Sequence, residues 1–255
     1  MLKYLSAIIV LVTLTACEQP ADGNDNSRII SNNDNTYAMR ATKYTWPPLV
    51  QGAAISYDVL AKNYYLVIDG SGSMDEVNCS AGLRKMDVAK TAVQQFVNQI
   101  PVESNVGLLT FDVDGVVQRV SLGSNRTQIL RDVTDMKAGG GTPLRTAIKD
   151  AYKSLTLQAQ SQLGYGEYHL VIVTDGEASS GEDPSSVVKE ILADSPVILH
   201  TIGFCIGEGH SLNVTGKTDY RAANNPEELR QGLAEVLAEA NEYTMDKFNQ
   251  ETVKP

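Results

Sequence analysis

The chain has 255 residues, 42% of them hydrophobic, enough to bury the core of one large domain or two small ones. Its formal net charge of −10 excludes the broad basic face on which nucleic-acid binding rests, and it opposes electrostatic docking on anionic lipid.

Lys3 and the apolar run Ala7-Ile8-Ile9-Val10-Leu11-Val12 read as the positive and hydrophobic regions of a targeting segment, the run being short for a spanning helix. Leu14-Thr15-Ala16-Cys17 then resembles a bacterial lipobox; the alternative is a plain signal peptide or membrane anchor. The lipobox resemblance implies that residues 1–16 are a signal peptide and that Cys17 carries a lipid. The protein is then expected in the cell envelope, and in the outer membrane where there is one, because Glu18 rather than Asp follows the cysteine. Residues 17–36, polar and rich in Asn, Asp and Ser, read as a flexible tether. Residues 37–62 contain Trp46-Pro47-Pro48, which excludes a helix there, and are expected as an extended arm packed on the domain.

Beyond the arm, strands and helices alternate. Tyr64-Tyr65-Leu66-Val67-Ile68 reads as a buried strand. Arg84 to Ile100 places Met86, Ala89, Val93, Phe96, Val97 and Ile100 on one helical face, and Pro101 ends it. Val106 to Phe111 is the next strand. After the turn Asp112-Val113-Asp114-Gly115, Val116 to Leu122 returns antiparallel. Helices are expected over 125–136 and from Pro143 to about Gln160, with the proline at the first helical position, where its missing N–H costs nothing. His169 to Thr174 is a strand, Asp183-Pro184 opens a helix to about Ala193, and Val197 to Phe204 is a strand. Asp219 to Ala222 is a short sixth strand. Asn225-Pro226-Glu227-Glu228 starts a last helix to about Tyr243, and residues 244–255 are a polar tail. The alternation predicts an α/β fold: a doubly wound, mostly parallel sheet with helices on both faces and one antiparallel edge strand. Ligands of such sheets bind beyond the C-terminal strand ends, where strand order reverses.

Chemistry gathers at those ends. The first strand runs into Asp69-Gly70-Ser71-Gly72-Ser73, where alternating oxygen-bearing side chains can aim at one point and the glycines let the backbone bend. Gly139-Gly140-Gly141-Thr142 offers another hydroxyl before a helix, and the strand His169 to Thr174 ends in Asp175. Together these resemble the D-x-S-x-S … T … D set of the von Willebrand factor type A domain, its metal-ion-dependent adhesion site, over residues 63–243. The resemblance implies that Ser71, Ser73 and Thr142 coordinate a cation through hydroxyl oxygens, while Asp69 and Asp175 hold it directly or through water. The bland alternative makes Ser71 and Thr142 ordinary turn and helix-cap residues. Mg2+ suits the all-oxygen set, with Mn2+ or Ca2+ as substitutes. Neutral hydroxyls leave the ion under-neutralised, so a Glu or Asp of a protein partner is expected to complete its shell.

Enzymatic patterns are missing. Gly70-Ser71-Gly72-Ser73-Met74 lacks the spacing of a nucleophile elbow, Asp75 breaks the dinucleotide fingerprint, and the glycine run lacks the lysine of a P-loop. The chain is therefore expected not to be an enzyme; a metal-dependent hydrolase at the same site and a structural envelope protein are the alternatives. His169 and His200 are expected as hydrogen-bonded strand residues and His210 as a solvated loop residue. Cys79 and Cys205 fall on the same sheet edge, where an oxidising compartment favours a disulfide and two free thiols are the alternative. The rim loops 74–82, 112–115, 137–141, 177–183 and 207–216 would face the partner, with Asp75, Glu76, Glu177, Glu182 and Asp183 making the rim acidic.

Overall fold

The computed structural model describes residues 46–52 and 54–242. The expected signal peptide 1–16, lipid site Cys17 and tether 17–36, the first part of the expected arm and the tail 244–255 lie outside the described residues.

Among the described residues, six strands form one sheet: β1 (Lys62–Asp69), β2 (Asn105–Asp112), β3 (Gly115–Gly123), β4 (Glu167–Thr174), β5 (Ile198–Phe204) and β6 (Asp219–Ala223), in spatial order β3-β2-β1-β4-β5-β6. All neighbours pair in parallel except β2 and β3, which the tight turn at Val113 and Asp114 makes antiparallel. The chain starts in the middle of the sheet, extends to one edge, then crosses back to β4. The reversal point therefore lies between β1 and β4, whose pairing runs up to Ile68 opposite Val173.

Alternation along β1 divides the core. Tyr64, Leu66 and Ile68 pack on one face with α1 (Lys85–Gln99), α2 (Arg126–Asp135) and α5 (Pro226–Glu242). Tyr65 and Val67 pack on the other with α3 (Leu144–Ser161) and α4 (Ser185–Asp194). Because both faces are covered, Tyr64 to Ile68 form a continuous apolar run rather than an alternation of every second residue. Each fully buried Leu, Ile or Val contributes about 1.5–3 kcal/mol of hydrophobic stabilisation.

Side-chain chemistry sets two of the helix starts. Asn125 accepts the N–H of Gln128 at 3.2 Å and starts α2. Asn225 accepts the N–H of Glu228 at 2.9 Å, while the Glu228 carboxylate accepts the N–H of Asn224 at 2.7 Å, a reciprocal cap at α5. Pro143 departs from expectation: it precedes the first turn of α3 with ψ 60°. The Thr142 carbonyl accepts N–H groups from both Leu144 and Ser179, which turns the backbone toward the neighbouring loop before the helix begins. Within the described part of the arm, Trp46 stands edge-on to Tyr168 at 4.9 Å, and Gln162 donates to the carbonyls of Asp58 and Ala61. Among the described residues no helix is long and apolar enough to cross a membrane.

Candidate functional site

β1 delivers Asp69 to the sheet edge at the reversal point, fully buried. One carboxylate oxygen accepts the Ser71 N–H at 2.7 Å; the other accepts the Thr174 hydroxyl from adjacent β4 at 2.6 Å. Gly70 follows because nothing larger fits. Its N–H donates to the Phe111 carbonyl at 2.7 Å, its carbonyl accepts from Gly139, and an added Cβ would stand 2.6 Å from the Asp112 Cβ. Gly140 supplies the left-handed turn, φ 79°, that returns the 139–142 loop to the same edge.

The hydroxyls converge there. Ser71 precedes a single 3-10 turn, Gly72–Asp75, yet its side chain does not cap it. Ser71 Oγ lies 3.0 Å from Ser73 Oγ, and Ser73 donates to Asp175 Oδ1 at 2.7 Å. Thr142 does not cap α3, and its hydroxyl has no hydrogen-bond partner among the described residues. A Cβ built on Gly176 would meet Ser73 Oγ at 3.8 Å and Thr142 Oγ1 at 3.9 Å, so these two hydroxyls flank one point beside Asp175. Asp69, Ser71, Ser73, Thr142 and Asp175 are thus gathered from three separate stretches. Neither the Ser71 nor the Thr142 side chain caps a helix, while the Ser71 carbonyl accepts the Met74 N–H in the 3-10 turn.

Four further residues serve this cluster; of these the sequence singles out only His210, and as a solvated loop residue. Thr174 anchors Asp69. Ser179 Oγ accepts the Thr142 N–H at 2.8 Å. Lys85, first residue of α1 and 3% exposed, places its ammonium 2.9 Å from Asp175 Oδ2 and 3.0 Å from Glu76 Oε2. His210 is buried rather than solvated: its Nε2 meets the Gly176 carbonyl at 3.0 Å, its Nδ1 accepts the Leu212 N–H, and its ring stacks on Tyr220. Two polar ring atoms with fixed partners explain how an imidazole is buried in a loop. Only Thr174 carried a signal, as the hydroxyl adjoining Asp175.

The electrostatics oppose each other. Burial pushes the Asp69 carboxyl up to about 6; its hydrogen bonds from Ser71 and Thr174 counter this, and the nearby Asp175 charge adds to it. Burial by itself would lower the Lys85 ammonium, but its bonds to Asp175 and Glu76 prevail and hold it above its ordinary value. The rim is less acidic than its composition suggests. Asp75 pairs with Arg84, Glu76 with Lys85, and Glu182 binds the N–H and hydroxyl of Thr146. Asp183 accepts from Ser185, so its carboxylate starts α4.

An all-oxygen set of three converging hydroxyls and two buried carboxylates fits a hard divalent cation. Another cluster does not. His200, Asp219 and Glu239 bring ligand-type atoms within 4.8 Å of one another, but Arg221 pairs with both Asp219 and Glu239 and already supplies the positive charge. Beside the candidate site, Cys79 and Cys205 have Cα atoms 6.1 Å apart and their sulfurs are joined, tying the loop after the 3-10 turn to the end of β5.

A sequence profile of the von Willebrand factor type A domain matches residues 63–254. Uncharacterized protein YwmD of Bacillus subtilis (strain 168) is 27% identical over 202 residues, 71% of this chain and 86% of that protein. Among solved structures, proximal thread matrix protein 1 from the mussel byssus aligns with TM-score 0.56 and 22% identity, covering 71% of this chain and 48% of that one. The vWF domain of the type V pili tip protein Mfa5 from Porphyromonas gingivalis aligns with TM-score 0.53 and 12% identity, covering 71% and 95%.

Proposed function

Since this chain belongs to the von Willebrand factor type A domain family, whose domains typically serve protein interaction or adhesion, we propose that it binds a protein partner through a divalent cation. Ser71, Ser73 and Thr142 hold the cation by their hydroxyls, and Asp69 and Asp175 hold it from behind, directly or through water. When bound, the ion, Mg2+ or Mn2+, supplies an electrophilic position that a Glu or Asp of the partner completes. The observation carrying this reading is the gathering of uncapped hydroxyls beside two buried carboxylates at the reversal point of the sheet. Water competes for the open position, so the net gain there is modest and the surrounding loops supply the specificity. Cys17 tethers the domain to the envelope membrane in this proposal, with residues 17–36 giving it reach.

The test is capture from envelope extract in Mg2+ and in EDTA, using wild-type protein, Thr142→Ala and Asp175→Ala. Binding should require the metal and disappear in both variants while they remain folded. A captured partner should also lose binding when one of its acidic residues becomes the amide. Undiminished capture in EDTA by folded protein would defeat the mechanism.

A further inference from the structure

We propose that Lys85 is the built-in counter-charge of this site: its ammonium competes with the cation for Asp175 and so keeps cation binding weak enough to be reversible. The inference rests on the reading of Asp69, Ser71, Ser73, Thr142 and Asp175 as a cation site.

Both oxygens of Asp175 are committed within the protein. Oδ1 accepts the Ser73 hydroxyl at 2.7 Å and Oδ2 accepts the Lys85 ammonium at 2.9 Å. The two charged groups are removed from water together, with side-chain exposures of 0% for Asp175 and 3% for Lys85. Attraction between desolvated charges is little screened, so this pair is not equivalent to a surface salt bridge. A dication placed among the hydroxyls shares the same carboxylate with the ammonium and is repelled by it. The charge the site offers is thus smaller than its two aspartates suggest.

Glu76 makes the arrangement adjustable. It is the second partner of the ammonium, at 3.0 Å, and its side chain is 59% exposed. Its own backbone carbonyl accepts the Lys85 N–H at 2.9 Å, so the two residues are held in register. When Asp175 turns to a cation, the ammonium still has Glu76 and is not left buried without a partner. Lys85 therefore acts as a positioning residue through Asp175 rather than as a ligand.

The experiment is calorimetric titration of the full-length protein with MgCl2 and, separately, MnCl2, with circular dichroism to establish folding. Wild type is compared with Lys85→Met, Lys85→Arg and Glu76→Gln. Lys85→Met should bind at least about tenfold more tightly, since one unit of repelling charge is removed. A merely structural lysine would give the opposite sign, because its loss would loosen the site. Lys85→Arg keeps the charge and should stay near wild type. Glu76→Gln removes an anion and leaves the ammonium to Asp175 alone, so it should bind more weakly. Unchanged or weaker binding by folded Lys85→Met overturns the proposal. If Lys85→Met does not fold, unchanged or tighter binding by Glu76→Gln overturns it. Binding by no protein in the series refutes the cation site itself, whereas wild-type binding with either of those results refutes only the role of Lys85.

Discussion

His169 shows at the scale of one residue how a buried polar group is satisfied on one side only. It is 1% exposed, stacks on Tyr64 with ring centroids 4.7 Å apart, and its Nδ1 lies 3.1 Å from His200 Nε2. His200 Nδ1 in turn meets Asp219 Oδ2 at 2.7 Å. The proton pattern that serves all these contacts has His200 Nδ1 donating to Asp219 and His169 Nδ1 donating to His200. His169 Nε2 is then left without a hydrogen bond, 3.5 Å from Glu167 Oε2. Burial pushes this imidazole below its ordinary value; Glu167 opposes the shift, while the neighbouring His200 and Lys62 reinforce it. The sign follows by linkage. Below the unfolded value of about 6.5, the unfolded chain takes up a proton that the folded chain refuses. This contribution is fully present above about 6.5 and is lost as the pH falls toward the lower folded value. Urea unfolding at about pH 7 and about pH 5.5 should therefore show wild type losing more stability on acidification than His169→Gln. Equal losses would place the acid sensitivity elsewhere.

At the scale of elements, the loop between the 3-10 turn and α1 is held from two sides. Lys85 and Glu76 fix its ends near the site, and the Cys79–Cys205 bond fixes its middle to β5. Both cysteines adopt positive φ, 46° and 67°, so the cross-link joins two tight turns rather than two regular elements. It closes a loop with a sequence separation of 126, which removes much freedom from the unfolded chain. Replacing both cysteines by alanine should lower stability by about 2–4 kcal/mol in denaturant titrations. A variant as stable as wild type under oxidising conditions would show that the bond contributes nothing to the fold.

At the scale of the molecule, site and fold share one set of charges. Asp69 and Asp175 are buried at the centre of the sheet edge, and Lys85 pairs with Asp175. A cation that binds the folded chain alone raises its stability, by about 2.7 kcal/mol at about a hundredfold excess over the dissociation constant. Thermal melts should therefore rise with Mg2+, fall back in EDTA, and show no Mg2+ effect in Asp69→Ala. Burial holds the Asp69 carboxyl protonated up to about 6, and a ligand carboxyl must ionise, so the Mg2+ effect should shrink below that pH. Melts that ignore Mg2+ across a wide concentration range at neutral pH would count against the site.

Local patterns were enough for the elements and for naming the strand ends that the fold brings together. Apolar runs such as Tyr64 to Ile68 bury both faces, the three- and four-residue steps from Met86 to Phe96 make one helical face, and the strand-end acids Asp69 and Asp175 carry their own punctuation. These are regularities of neighbours in the chain, so a single sequence displays them. Other features depend on which distant backbones the crossovers bring together. Lys85 stands 90 residues from Asp175, and Thr174 stands 105 from Asp69. As a sequence, Lys85 is one more polar residue at a helix start, Glu76 and Glu182 are rim acids, and His210 is a loop histidine. Only the packed sheet gives the lysine its carboxylates, the rim acids their cations and N–H groups, and the imidazole its carbonyl. A charge is neutralised by whatever lies across from it, and that distance is set by the fold rather than by spacing along the chain.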